Sequence, residues 1–315
     1  MAIHPYLDNT GRTDVWSGGS RMIPITTPKG IFNVWTKRMG NNPTLKVLIL
    51  HGGPGMTCEY LEVFDSFFPG AGIEYYHYDQ LGSARSDQPN EPSLWEIDRF
   101  VEEVEQVRVA LGLDASNFVV LGQSWGGVLA IEYALKYQQN LKGIVISNMM
   151  SDIPAYNEYA KNVLMPEMDQ EKLARVKDLE AAGDTDSEEY EELLMDIHYQ
   201  YHILRRPPEE WPDCVLRGMS RVNKDIYVPL QGPSELGASG KLLEWSRTAD
   251  LPTITVPTLV IGGEYDSMDP RYLEHMASLM PKGESLTCPE GSHLAMYDDQ
   301  EYYFNGLLPF LERLK

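Results

Sequence analysis

The chain has 315 residues, 43% of them hydrophobic and 23% charged, with a formal net charge of -21 at pH 7. That composition can bury a large core, which excludes an intrinsically disordered chain, and its acidity argues against partners such as nucleic acid or an anionic membrane surface, which select a basic face. The three cysteines (Cys58, Cys214, Cys288) have no paired spacing that would suggest a disulfide framework or a zinc site, and no apolar run approaches the roughly 18 residues of a membrane span.

The length fits one domain of about 200–250 residues carrying an insertion. The first twenty or so residues lack a basic start followed by an apolar stretch, so a cytoplasmic location is expected. From Met22 strands alternate with helices. MIPITT (22–27) and IFNVWTKR (31–38) predict an antiparallel pair turning at Pro28, Lys29 and Gly30. KVLIL (46–50) is short, wholly apolar and followed by glycines, the pattern of a buried central strand, and IEYYHYD (73–79) predicts the next strand. The spacing of Phe100, Val104, Val107 and Leu111 predicts a helix over 99–113. NFVVLG (117–122), a helix over 125–137 and GIVISN (143–148) make a β-α-β unit.

From about 150 to 249 the sequence is mostly helical and acidic. Asp184, Asp186, Glu188, Glu189, Glu191, Glu192 and Asp196 fall in one short stretch, which is expected to be a solvated helix face. Alternation resumes with TLVIGG (258–263), a helix over about 271–280, ESLTC (284–288) and a last helix near 300–314. The expected fold class is α/β. Residues 1–149 and 250–315 would form the sheet domain, and 150–249 a helical cap inserted into it.

Three segments carry chemistry. Gly122-Gln123-Ser124-Trp125-Gly126-Gly127 lies between a strand and a helix, the context in which GxSxG forms a nucleophile elbow. The tight turn lifts the Ser124 hydroxyl clear of the sheet and sets a helix N-terminus, with its unpaired N–H groups, where negative charge will develop. His51-Gly52-Gly53-Pro54-Gly55 follows a buried strand, and glycines there let backbone N–H groups turn toward a ligand. The N–H groups of Gly53 and Trp125 are the candidate oxyanion donors. His51 itself is read as bracing backbone. Without GK[ST] or GxGxxG, nucleotide binding is not supported.

In an α/β hydrolase the triad runs serine, acid, histidine along the chain. Asp266 follows the strand TLVIGG and His293 lies in a loop before the last helix, so these are the candidate orienting acid and base. Glu264 is read as too close to the sheet and Asp269 as too far along the turn. His275 is expected on an exposed helix face. His198 and His202, four residues apart, lack the glutamate of HExxH and are read as packing or cap residues rather than metal ligands.

HGGPG (51–55), DQLGSARS (79–86), GQSWGG (122–127), GPSEL (232–236), GEYD (263–266) and GSH (291–293) together resemble the proline iminopeptidase family of α/β hydrolases over roughly residues 22–315. The resemblance implies the α/β-hydrolase fold, a mostly parallel sheet flanked by helices with an inserted helical cap. It implies release of an N-terminal residue, proline or another small L-amino acid, from short peptides, amides or esters with a free N-terminus. It also implies no cofactor and no metal. Glu235 in GPSEL matches a glutamate that binds the substrate amine, Tyr227 matches a tyrosine lining the same pocket, and Gly52 joins them among the substrate-contacting positions. Some relatives carry a second amine-binding glutamate directly after the catalytic aspartate, where this chain has Ser267. That departure opens broader activities: an L-amino-acid amidase or esterase, or an aminoacyl transferase. A non-catalytic binding protein would be expected to have a broken triad, and Ser124 excludes the aspartate-nucleophile mechanisms of epoxide hydrolases and haloalkane dehalogenases.

Overall fold

The computed structural model describes residues 3–315. Among them, eight strands form one sheet: β1 (Ser20–Thr27), β2 (Gly30–Met39), β3 (Lys46–Leu50), β4 (Glu74–Asp79), β5 (Phe118–Gln123), β6 (Gly143–Ser147), β7 (Thr258–Gly263) and β8 (Gly283–Cys288). Their order is β1-β2-β4-β3-β5-β6-β7-β8. β2 runs antiparallel to β1 and β4, and the remaining neighbours are parallel. The first hairpin is tighter than the sequence predicts: Thr27 pairs with Gly30, leaving Pro28 and Lys29 as a two-residue turn. β5, β6 and β7 are buried throughout because helices cover both faces, whereas the toward-edge strand β1 alternates buried and exposed.

The order reverses beside β3. The chain steps from β3 to β4 on one side and returns to β5 on the other. Such a reversal opens a crevice at the carboxyl ends of the two strands. The loop 51–55 follows β3 and Ser124 follows β5, so both candidate segments meet at this crevice.

Helix α1 (Ile97–Leu111) buries Phe100, Val101, Val104 and Val107 and stops at Gly112, whose φ of 66° closes the last turn. It begins two residues before the predicted start, and Glu96 at its N-cap position makes no side-chain capping bond. Helix α2 (Trp125–Tyr137) is buried from Trp125 through Ala134, packed on β3, β5, β6 and α1. Alternate residues of the central strands feed two cores: Leu48, Leu50 and Val120 on one face, Val47, Ile49 and Val119 on the other.

Between β6 and β7 lies the inserted helical cap, with α3 (Ile153–Tyr159), α4 (Met165–Glu167), α5 (Gln170–Ala182), α6 (Glu188–Leu194), α7 (Asp213–Ser220) and α8 (Lys224–Leu230). Segments Ala160–Leu164 and Met195–Ile203 are wound as π-helix. The cap has an apolar cluster of its own, including Leu164, Val176, Leu179, Tyr190 and Leu194. It is also pinned to the sheet domain by ion pairs: Arg217 meets Glu59 at 3.0 Å and Glu62 at 2.8 Å, and Arg221 meets Glu59 at 2.8 Å. After β7 come α9 (Pro270–Leu279), α10 (Ala295–Asp298) and α11 (Gln300–Glu312). No helix of the described residues is long and apolar enough to cross a membrane.

Candidate active site

Ser124 has φ 54° and ψ -125°, at the junction of β5 and α2. The turn closes because Gly122 and Gly126 are glycines. A Cβ on Gly122 would lie 2.0 Å from the Gly126 carbonyl oxygen, and one on Gly126 would lie 2.1 Å from that of Leu50. The Ser124 N–H donates to the Ser147 carbonyl at 2.9 Å, tying the elbow to β6. Trp125 is the first residue of α2, so its N–H has no helical acceptor.

The loop after β3 is braced from several sides. The Gln80 N–H donates to His51 Nε2 at 3.0 Å, so Nε2 is an acceptor and the proton sits on Nδ1, which donates to the Gly52 carbonyl at 2.9 Å. Burial lowers the pKa of this imidazole. His51 is thus a neutral strut, as read from the sequence. Gln80 also donates to the His51 carbonyl and accepts from the Trp125 indole N–H, both at 2.9 Å. The Gly52 N–H donates to the Tyr60 hydroxyl at 2.7 Å, which leaves Gly52 no free donor for a substrate. Its role here is room, since a Cβ would lie 3.0 Å from the Ser124 Cβ. Gly53, with φ 110°, lines the cavity beside Ser124.

Asp266 and His293 come together as the chain order predicts. His293 Nδ1 donates to Asp266 Oδ1 at 2.8 Å, and both residues are buried. That bond leaves Nε2 as the lone-pair nitrogen. Burial works against the imidazolium, but the charge and hydrogen bond of Asp266, with Glu235 behind them, outweigh it and raise the pKa of His293. Asp266 is itself held by the Met268 N–H at 3.0 Å and by Asn148 Nδ2 at 2.7 Å. The competing carboxylates are elsewhere: Glu264 is exposed, and Asp269 caps α9 by accepting from the Arg271 N–H at 2.9 Å. Ser267 is buried, with its hydroxyl 3.4 Å from both Asp266 Oδ1 and His293 Nδ1.

Sequence reasoning missed three supports. Asn148, at the end of β6 with φ 55°, donates to Asp266 and, at 3.0 Å, to the Ser292 carbonyl. Tyr60 donates to Gln123 Oε1 at 2.6 Å, and Gln123 Nε2 donates to the His293 carbonyl at 2.9 Å. One chain of bonds therefore joins the loop after β3, the elbow and the histidine loop. Gln123 stood inside a quoted motif, but only the fold reveals its partners.

The cap supplies Glu235 and Tyr227. Both line a cavity of about 570 Å3 that also contains Gly53, Ser124 and His293. The Tyr227 hydroxyl donates to Glu235 Oε1. Burial pushes the Glu235 carboxyl above its ordinary value, opposed by His293 and by the Tyr227 hydrogen bond. The Glu235 carbonyl accepts from the Tyr156 hydroxyl at 2.6 Å and lies 3.0 Å from His198 Nε2. Burial drives the His198 pKa down to about 3, so this ring is a neutral donor that holds the glutamate segment. His202 lies 2.9 Å through Nδ1 from the Tyr265 carbonyl. Among the described residues no group of three or more His, Cys, Asp or Glu is gathered for a metal. His275 is exposed. The acidic stretch is solvated, and two of its exposed carboxylates, Asp186 and Glu191, also border the cavity, where they pair with Lys224 at 2.5 and 3.5 Å.

The family described as alpha/beta hydrolase fold matches residues 46–300. A proline iminopeptidase of Flavobacterium johnsoniae is 54% identical over 290 residues, covering 92% of this chain and 97% of that protein. One from Elizabethkingia meningoseptica is 54% identical over 293 residues, covering 92% and 97%. Among solved structures, VinJ superposes with a TM-score of 0.85 at 28% identity, covering 94% of this chain and 99% of its own. The proline iminopeptidase of Mycobacterium smegmatis gives a TM-score of 0.79 at 28% identity, covering 94% and 98%.

Proposed function

This chain belongs to the proline iminopeptidase family of α/β hydrolases, and from that premise we propose that it is a serine aminopeptidase that cuts one N-terminal residue, proline or another small L-amino acid, from short peptides and amides. The observation that carries the reading is the gathering of Ser124, an Asp266-bound His293 and Glu235 around one cavity. Ser124 attacks the carbonyl carbon as His293 Nε2 takes its proton. Asp266 fixes the tautomer and stabilises the imidazolium. The N–H groups of Gly53 and Trp125 receive the oxyanion. His293 then protonates the departing nitrogen, and a water activated by the same imidazole releases the acyl group.

Glu235 selects a free N-terminus. An ammonium entering a cavity loses hydration and needs a carboxylate partner there. Tyr227 holds that carboxylate in place. The proposed substrate is thus small, cationic at one end and uncharged at the scissile bond. The acidity of the chain weighs against nucleic acid as a partner, and its free cysteines fit a reducing cytoplasm.

A second reading, a broader aminoacyl amidase, esterase or acyl transferase, is favoured by Ser267, whose hydroxyl faces Asp266 and His293 and adds no carboxylate for the amine. A panel of proline, alanine and leucine arylamides, each with its N-acetylated form, separates the two. Under the aminopeptidase reading N-acetylation abolishes turnover. Glu235→Gln lowers kcat/KM for free-amine substrates about a hundredfold and leaves acetyl esters little changed, and Ser124→Ala lowers kcat by about 10^4-fold or more on all. Equal loss on aminoacyl and acetyl substrates in Glu235→Gln would sink the amine-anchor role.

A further inference from the structure

Two hollows meet at Ser124. One is the cavity of about 570 Å3; the other is a slot of about 10 Å3 walled by Trp125, Val128, Met149, Tyr156, Leu242 and Met268. Gly53, Ser124 and Glu235 border both. The reacting carbonyl and the amine anchor therefore stand at their junction, and a substrate divides there: the side chain of its first residue goes one way and its leaving group the other.

His293 decides which goes where. It borders the large cavity, whereas Trp125, on the oxyanion side, walls the slot. When the acyl C–N bond breaks, the electron pair stays on nitrogen, which takes the proton that His293 Nε2 received from Ser124. The leaving nitrogen must lie within reach of that imidazole, so the leaving group occupies the large cavity. The slot is left for the first side chain.

From this division, which rests on the aminopeptidase reading above and its small first residue, we propose that the large cavity makes the protein selective for a bulky, apolar, uncharged leaving group. The slot has room for about one water. Met149 and Met268 are flexible enough to admit a proline ring or an alanine methyl by shifting their thioethers, but a phenyl ring asks the whole packed wall to move. The large cavity offers Met56, Leu194, Met195, Met219, Val228 and Leu294, an adaptable apolar lining that gains by covering an apolar group. At its mouth Asp186 and Glu191 outnumber Lys224, so a leaving group ending in a free carboxylate meets net negative charge.

The test is kcat/KM for alanine, proline and phenylalanine, each joined to glycine amide, to phenylalanine amide and to phenylalanine as the free acid, on the full chain and on Met219→Trp. With alanine first, phenylalanine amide is expected to exceed glycine amide, and also the free acid, by about tenfold. With the leaving group fixed, phenylalanine in first position is expected to be about tenfold slower than alanine. Met219→Trp shrinks the cavity and lowers the phenylalanine-amide to glycine-amide ratio about tenfold; if that variant does not fold, Val228→Trp at the rim, where Val228 is 39% exposed, takes its place. Equal rates across leaving groups, faster turnover of bulky first residues, or a Trp variant that alters first-residue preference instead would overturn this assignment alone. Turnover of no aminoacyl substrate, by a chain whose Ser124 still reacts with a fluorophosphonate, would overturn the aminopeptidase reading with it.

Discussion

Ser124 and Asn148 hold positive φ without being glycine. A side chain enters that region only where its surroundings over-determine it, at a cost of about 1–3 kcal/mol. Ala84 also has positive φ, but only Ser124 and Asn148 present a polar group there: Ser124 a hydroxyl to the cavity, Asn148 an amide to Asp266. The same crowding sets the proton chemistry. In the proposed mechanism His293 works as a base only when neutral, and Asp266 raises its pKa against burial. In the proposed role Glu235 anchors a cation only when ionised, and burial raises its pKa too. Both groups must lose a proton on the acid side, and both lose it at higher pH than they would in water. The acid limb of kcat/KM for a free-amine arylamide is therefore expected above the ordinary histidine value of about 6.5. For an acetyl ester, Glu235→Gln should move that limb downward by removing a negative charge that favours the imidazolium. An upward move would contradict the coupling.

The β5–α2 elbow is decided by backbone contact. Gly122→Ala would press a methyl 2.0 Å from the Gly126 carbonyl, so the strand and helix must separate. We expect a loss of about 3 kcal/mol or more in urea unfolding. The control is Gly183→Ala: Gly183 has φ 72° and open space around it, so only the left-handed conformation is penalised, at about 1–2 kcal/mol. A second element-level device is the hydrogen-bond chain through Tyr60 and Gln123. Gln123→Leu leaves the Tyr60 hydroxyl and the His293 carbonyl without that partner while keeping the side chain's bulk. It is expected to lower kcat about tenfold with little change in KM, by loosening the histidine loop, and to cost about 1–3 kcal/mol of stability. A change in KM with kcat intact would place Gln123 on the substrate instead. The cap shares this task. Its π-wound segment accepts the His293 N–H at the His202 carbonyl, 3.0 Å away, and the Leu294 N–H at that of Ile203, 2.8 Å away. A lid over the cavity thus also fixes the base.

At the scale of the molecule, the charge of -21 surrounds a cavity whose mouth carries Asp186 and Glu191. A field of that sign gathers cations, and salt screens it over about 10 Å at 0.1 M. For free-amine substrates kcat/KM is expected to fall severalfold between about 0.01 and 0.3 M salt, and for acetyl esters to stay flat. Parallel behaviour of the two would remove the field from the account. The Lys224 ion pairs at the mouth are exposed and add little to stability. The two sheet-face cores and the separate apolar cluster of the cap carry the packing.

The sequence by itself determined the strands and the glycine-bounded turn at Ser124, because each is a local pattern. Apolar runs bounded by glycine mark buried parallel strands, and only glycine tolerates the Gly122–Gly126 approach. Through the family resemblance it also marked Glu235, in the GPSEL motif, and Tyr227, eight residues before it, which the cap brings to the cavity wall. Local pattern could not place Asn148 behind Asp266, run Tyr60 and Gln123 between two loops, or divide the space at Ser124 into a slot and a cavity. Those features join residues separated by tens to hundreds of positions. They exist only once the reversal of strand order at β3 and the seating of the cap bring distant backbone within hydrogen-bonding reach.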